Sequence, residues 1–253
     1  MRLTAVILTY NESRHVAACI ESLQFADEVI VFDSFSTDET VALAQAAGAR
    51  VIQHAFADFA SQRNAALDAV RDSADWVLFV DADERVTPAL VAEVRRVIDA
   101  PAVAGYRIPR DNYLFGRLTR GAGWYPDYQT RLLHVGAAAF DPARQVHEVA
   151  VLQGELGTLE NPFVHYNYES VSQFHDKQRR YTAYDARMLY ESGVRPKPQN
   201  YLLQPLRQFW WRFVTLKGYQ DGLHGLRLCL FMAWYELRKY RLLRALWRQH
   251  AAT

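Results

Sequence analysis

Four short apolar runs, each followed by a stretch of helical periodicity, constrain this chain more than any other feature. LTAVILTY, EVIVFD, ARVIQH and WVLFV are of strand length and rich in β-branched and aromatic residues. Between them lie helix signals. Ser36 to Glu39 has the capping-box pattern ahead of TVALAQAAG, where Gly48 supplies a stop, and Thr87 with Pro88 opens ALVAEVRRVI. Strands separated by helices imply right-handed crossovers and a mostly parallel sheet covered on both faces, an α/β fold. In such sheets ligands bind beyond the carboxyl ends of the strands. The residues to inspect are therefore Thr9, Tyr10, Asn11 and Glu12, then Asp33 and Ser34, then Asp81 and Asp83.

Half of the 253 residues are hydrophobic, enough for a sizeable core. Lysine and arginine number 29 against 28 acids, a balance that gives no whole-protein electrostatic reason to expect nucleic acid as a partner. Cys19 and Cys229 lie far apart in apolar patterns without metal-type spacing, which predicts buried free thiols and a reducing cytoplasm. The N-terminal apolar run is too short for a signal peptide. No stretch approaches the roughly 20 apolar residues that span a bilayer.

Asp81 and Asp83 follow the apolar run Val77 to Val80 at alternate positions, where an extended chain points both carboxylates the same way. Such a pair repels itself unless a positive charge lies between. One reading is a solvated strand end; the other is a divalent cation, held through oxygen, that carries substrate phosphate. There is no GxGxxG after the first strand and no GxxxxGK[ST] to bind phosphate instead.

ILTYNESRHVAACIESLQFADEVIVFDSFSTDETVALAQAAGARV, then FADFASQRNAAL, then DWVLFVDADERV, resembles the nucleotide-sugar-binding half of family 2 glycosyltransferases with the GT-A fold, within a branch similar to lipopolysaccharide-core glucosyltransferases. The likeness extends more loosely through YPDYQTRLL, VHE, VHYNY and YQDGLHGL. It implies that Thr9, Tyr10 and Glu12 line a nucleotide pocket, that Asp33 hydrogen-bonds the base, that Arg63 reaches the nucleotide, and that Asp81 sits near the ribose. In this DXD motif Asp83 is then the direct ligand of Mg2+ or Mn2+, and His165 a further metal ligand. Plain alternatives stand beside these: Thr9 and Tyr10 finish a strand, Glu12 belongs to a helical first turn, Asp33 caps the Ser34 to Thr37 loop, the Gln62-Arg63-Asn64 run is an exposed polar helix face, and His165 is a core histidine.

The resemblance further implies an inverting displacement at the anomeric carbon of a nucleotide sugar, uridine diphosphate-linked in this reading, with metal stabilising the departing diphosphate. A general base must take the acceptor's proton. Glu148 in QVHEVAV is the candidate, with His147 beside it, and Asp127 in YPDYQTR is the rival. Two other classes compete: a nucleotidyltransferase, which would normally show a glycine-rich loop where TYNESRH has none, and a non-catalytic sugar-nucleotide-binding scaffold.

Residues 1–168 are expected to form the catalytic domain, 1–100 as the nucleotide-sugar half and 101–168 as the acceptor half, with GYRIPR, TRLLHV and EVAVL as added strands. Residues 169–253 form a helical, amphipathic extension that opens with a capping box from Ser170 to Gln173. Beyond Tyr201 it mixes Trp210, Trp211, Phe213, Phe231, Trp234 and Trp247 with arginines, a composition suited to a membrane interface or to a helical hairpin packed on the protein or a second subunit. Gly218, Gly222 and Gly225 mark the break between helices. The expected protein is peripheral on the inner face of a bacterial cytoplasmic membrane, with a lipid-linked or lipopolysaccharide-type glycan as acceptor; a homo-oligomer is left open.

Overall fold

A computed structural model describes residues 1–141 and 150–250. The elements run β1 (Leu3–Thr9), α1 (Val16–Ser22), β2 (Glu28–Asp33), α2 (Thr40–Ala46), β3 (Arg50–Gln53), α3 (Phe59–Val70), β4 (Trp76–Asp81), β5 (Glu84–Arg85), α4 (Pro88–Asp99) and β6 (Gly105–Leu114). They continue with β7 (Arg117–Leu118), β8 (Tyr128–His134), β9 (Ala138–Phe140), β10 (Ala150–Leu152), β11 (Leu156–Thr158), β12 (Phe163–Tyr168), α5 (Val171–Glu191), α6 (Asn200–Trp210) and α7 (Gly222–Gln249). The chain divides into two compact units, Met1–Arg110 with Asp127–His165, and Asp111–Pro126 with Tyr166–Thr253.

The first unit is built on a sheet in the order β3-β2-β1-β4-β8-β6-β12-β5. Its first four strands are parallel, as the alternating pattern predicts; β8 pairs antiparallel with β4, and β6 antiparallel with β8. Val77 to Val80 are at most 1% exposed, because the two faces of β4 feed two separate cores. Leu78 and Val80 pack with Val16 and Ile20 of α1 and Leu90 and Val94 of α4, whereas Val77 and Phe79 pack with Ala66, Leu67 and Val70 of α3. The period-2 alternation of a strand makes this division, and a continuous apolar run is its signature. β3 differs from the other three: it lies at the edge of the sheet with Val51 and Ile52 only half-buried.

The helix signals fare unevenly. Thr87 Oγ1 accepts the Leu90 N–H ahead of Pro88, and Ser170 Oγ accepts the Gln173 N–H, as expected. The Ser36 to Glu39 box does not form. Ser36 Oγ donates to Asp33 and accepts the Asn11 N–H instead, and Asp38 Oδ1 takes the Thr40 N–H at the start of α2. Gly48, at φ +85°, ends that helix in the left-handed region where glycine carries no Cβ penalty.

In the second unit α7 packs against α5 and α6. Its core gathers Leu114, Tyr168, Phe174, Leu228 and Tyr235, with the Tyr235 hydroxyl 2.8 Å from His175 Nδ1. The helical break falls at a π-helical turn, Trp211–Thr215, and a 3-10 turn, Gly218–Asp221. Gly225 lies inside α7, where a Cβ would run into the Gly218 carbonyl. Cys19 and Cys229 are buried free thiols, and burial pushes both pKa values up, that of Cys229 to about 11. No described helix is long and apolar enough to cross a membrane.

Candidate functional site

The carboxyl ends of β1, β2 and β4 lie side by side: Thr9 is in register with Asp33, and Leu8 with Asp81. At the first two ends a polar network shapes the loops. Thr9 Oγ1 donates to Asp33 Oδ1 at 2.9 Å, and the Ser36 N–H donates to Asp33 Oδ2 at 2.8 Å. Ser36 Oγ and the long 3.4 Å contact from Gln53 Nε2 complete four donors on a carboxylate that is itself fully buried. Asp33 thus anchors the loop from Ser34 to Thr37. Asn11, left-handed at φ +56°, accepts the Thr37 N–H at 2.8 Å and ties the same loop to the end of β1. Asparagine tolerates that backbone better than most residues. Tyr10 stands 60% exposed at this rim, and the Glu12 N–H donates to Thr40 Oγ1. Phe35, also left-handed and half exposed, projects from the loop; nothing in the sequence marked it.

After β4 the chain does not stay extended. Ala82 and Asp83 form a tight turn into β5, so the two acids acquire different surroundings. Asp81 is bound by arginines: Arg110 Nη2 at 2.9 Å, Arg63 Nη2 at 3.7 Å, and Arg131 in direct contact. Burial would raise its pKa, but the charges of Arg131, Arg110 and Arg63 overcome that and hold it well below the usual carboxylate range. Glu84, fully buried beneath, accepts the Asp81 N–H at 2.8 Å and lies 2.6 Å from Arg110 Nε. Its pKa is pushed up, chiefly by burial and then by the charge of Asp81 against the pull of Arg110. Asp83 has a histidine beside it: its Oδ2 lies 3.4 Å from His165 Nε2, and His165 is brought there by the pairing of β12 with β5.

Arg63 comes from α3 and is buried, its guanidinium 5.0 Å over the Phe79 ring. The helix face it shares is not an exposed polar one. Gln62 is buried against His54 and Ser34, and Asn64 exchanges two hydrogen bonds with the Phe140 backbone. Asp127 joins the cluster through Arg110 Nη1 at 3.8 Å and accepts from Gln129 Nε2 at 2.8 Å. Glu148 and His147 lie outside the described residues. Sequence reasoning missed Arg110, Arg131 and Glu84 as parts of this site. The available signal was a charge standing inside or ending an apolar strand run, in GYRIPR and TRLL.

The sequence profile described as glycosyl transferase family 2 matches residues 4–139. The chain belongs to glycosyl transferase family 2. Its α/β sheet followed by C-terminal helices is the GT-A architecture, and as a family 2 member it is a glycosyltransferase, which sets aside the nucleotidyltransferase alternative. The lipopolysaccharide core biosynthesis glycosyltransferase LpsC of Rhizobium meliloti (strain 1021) is 30% identical over 243 residues, covering 88% of this chain and 87% of that one. An uncharacterized glycosyltransferase of Rickettsia bellii (strain RML369-C) is 29% identical over 224 residues, 84% of this chain and 74% of the relative. Among solved structures, S. aureus TarS 1-349 aligns with a TM-score of 0.49 at 15% identity over 99% of this chain and 92% of its own, a likeness too slight to argue from.

Among the described residues no three His, Cys, Asp or Glu side chains make a complete metal cage. The carboxylate of Asp83 and the imidazole of His165 do converge. Two protein ligands are what a cation needs when substrate phosphates and water complete its shell, so the donor set fits Mg2+ or Mn2+ shared with a diphosphate. Asp81, taken up by guanidiniums, is not available to the cation in this arrangement.

Proposed function

We propose that this family 2 enzyme is a metal-dependent, inverting glycosyltransferase that moves a sugar from a uridine diphosphate-type donor to a lipid-linked or lipopolysaccharide-type glycan at a membrane surface. The observation that carries the reading is the turn after β4, where Asp81 is fixed by Arg63, Arg110 and Arg131 while Asp83 meets His165. Asp83 and His165 would hold Mg2+ or Mn2+, which when bound supplies positive charge to the departing diphosphate. Thr9, Tyr10, Glu12 and Asp33 form the nucleotide side of the site. A base N–H replaces the long Gln53 contact on Asp33, while Thr9 and Ser36 keep the carboxylate in place. Asp81, immobilised by its arginines, accepts from ribose hydroxyls, and Arg63 anchors it.

In the transfer the acceptor oxygen forms a bond to the anomeric carbon as that carbon's bond to the diphosphate oxygen breaks. The hydroxyl proton passes to a carboxylate. Glu148 is the preferred base, because Asp127 is already engaged by Arg110 and Gln129. The acceptor class is supported by the lipopolysaccharide-core relative and by the character of the C-terminal helices.

Thermal stabilisation by uridine diphosphate sugars tests the donor and metal together. Saturating donor at a hundred times its Kd adds about 2.7 kcal/mol to the folded state. The expected shift requires Mn2+ in the wild type and is absent in Asp83→Ala. Unchanged affinity of Asp83→Ala in the presence of Mn2+ would refute the metal site. Glu148→Gln is expected to keep donor binding and lose transfer by roughly 10²- to 10⁴-fold. Near-normal turnover would move the base to Asp127, for which Asp127→Asn is the matching variant.

A further inference from the structure

The two C-terminal helices end differently. α7 buries Leu228, Tyr235 and Leu243, Phe231 packs on Phe174, and Trp247 packs on Tyr190 while its indole N–H donates to the Val194 carbonyl, although Leu223, Leu230 and Trp234 of the same helix stay 83, 52 and 52% exposed. α6 has no buried residue at all. Leu202, Leu203, Leu206 and Trp210 are 64, 57, 55 and 65% exposed, and Val214 in the following turn is 39% exposed. At 100° per residue the four α6 side chains fall within about a third of the helix circumference, one exposed apolar stripe. Tyr201, Gln204, Pro205, Gln208 and Phe209, on the other side, are half-buried.

The charges in this stretch of chain are of one sign. From Ser192 to Gln220 there is no acid, while Arg195, Lys197, Arg207, Arg212 and Lys217 fall in that run. Arg212 is turned inward, its Nη1 donating to the Ala122 carbonyl. Lys197, Arg207 and Lys217 are exposed, with Arg207 at the border of the apolar stripe.

We propose that α6 is a membrane-seated element, its Leu202–Leu206–Trp210 stripe embedded in the interfacial layer of a lipid leaflet and its cationic border selecting anionic headgroups. The inference rests on the proposed function only for the choice of lipid as the surface. The charge pattern favours lipid over a second copy, because a two-fold contact through this stripe would bring Arg207 and its acid-free stretch of chain against themselves. A helix with an apolar face and cations at its edge is the form that lies in a membrane interface, each nearby cation adding to the attraction of an anionic leaflet.

The test uses the full chain with phosphatidylcholine vesicles, with and without phosphatidylglycerol. Co-sedimentation is expected with the anionic vesicles. Leu206→Glu with Trp210→Glu should lower the partition coefficient by roughly a hundredfold or more, since two exposed apolar side chains lose their burial in lipid. Neither residue is buried, so the double variant should keep its circular dichroism and melting temperature. Arg207→Gln with Lys217→Gln should cost about thirtyfold on anionic vesicles and little on neutral ones. Equal sedimentation of wild type and the Glu double variant would overturn the proposal. So would a wild-type dimer that the double variant dissolves while neither binds vesicles, which would assign the stripe to a second copy. Vesicle binding is read without turnover, so a protein that binds lipid but transfers no sugar would count against the proposed function and leave this inference standing.

Discussion

Asp81→Asn removes the charge on which three guanidiniums converge while keeping the side chain's size. In the wild type the Arg110 and Arg131 side chains are 11% and 5% exposed, so their charges are largely cut off from water. Breaking a buried pair by neutralising one partner costs about 3–5 kcal/mol. Two features reduce that here. The Asp81 side chain is 34% exposed, so solvent screens part of the interaction, and Glu84 still faces Arg110 at 2.6 Å. The expected loss is therefore about 2–3 kcal/mol at pH 7, read from urea unfolding of both proteins. The pH dependence has a defined sign. The folded pKa of Asp81 lies below its unfolded value, about 3.9, so its contribution is fully present above that value and fades as pH falls through the folded pKa. The gap between wild type and variant should be flat from about pH 8 to 5 and narrow only at lower pH. A variant equal to wild type at pH 7, or more stable, would refute the reasoning: the arginines would then be a repelling cluster that awaits an anion, not the partners of Asp81.

Glu93→Gln removes a buried carboxylate that accepts the backbone N–H groups of Glu160 and Asn161 at 3.0 and 2.9 Å. Burial raises its pKa, but those bonds and the Asn161 side chain outweigh burial and lower it, so the variant should lose about 1–2 kcal/mol at pH 7 and converge on wild type only as pH drops below about 4. A constant gap down to pH 3 would contradict the assignment. Gly225→Ala should destabilise the second unit by about 1–3 kcal/mol or more in thermal melts, because the new methyl meets the Gly218 carbonyl; a neutral result would mean that α7 and the preceding turn separate readily.

Much of the first unit, and the start of α5 in the second, is legible in the sequence because what decides it is local. A run such as Val77 to Val80 reports burial on both faces, Thr87-Pro88 and Ser170-Gln173 report helix starts, and Gly48 reports a stop, each from a few adjacent residues. The rule that parallel sheets bind ligands beyond their carboxyl ends then places Thr9, Asp33 and Asp81 side by side without knowledge of a single contact. The capping-box pattern at Ser36 misled for the opposite reason: the serine had a better partner in Asp33, which a pattern spanning four residues does not contain.

The sequence by itself determined the order of the four parallel strands and the helices between them, the burial of the central strands and the location of the acids at the carboxyl ends of those strands, since periods of 2 and 3.6 are written along the chain. The tertiary structure alone decided what the acids face. Arg110 and Arg131 lie 29 and 50 residues from Asp81 and reach it only through the antiparallel pairing of β6 and β8 beside β4, and His165 reaches Asp83 only through the pairing of β12 with β5. It also decided that α7 would bury one face, with Leu228, Tyr235 and Leu243, while α6 buries no residue, although both carry the same mixture of tryptophan, leucine and arginine. Composition states how much apolar surface a helix has; only the neighbours that fold against it determine how much of that surface remains for something else.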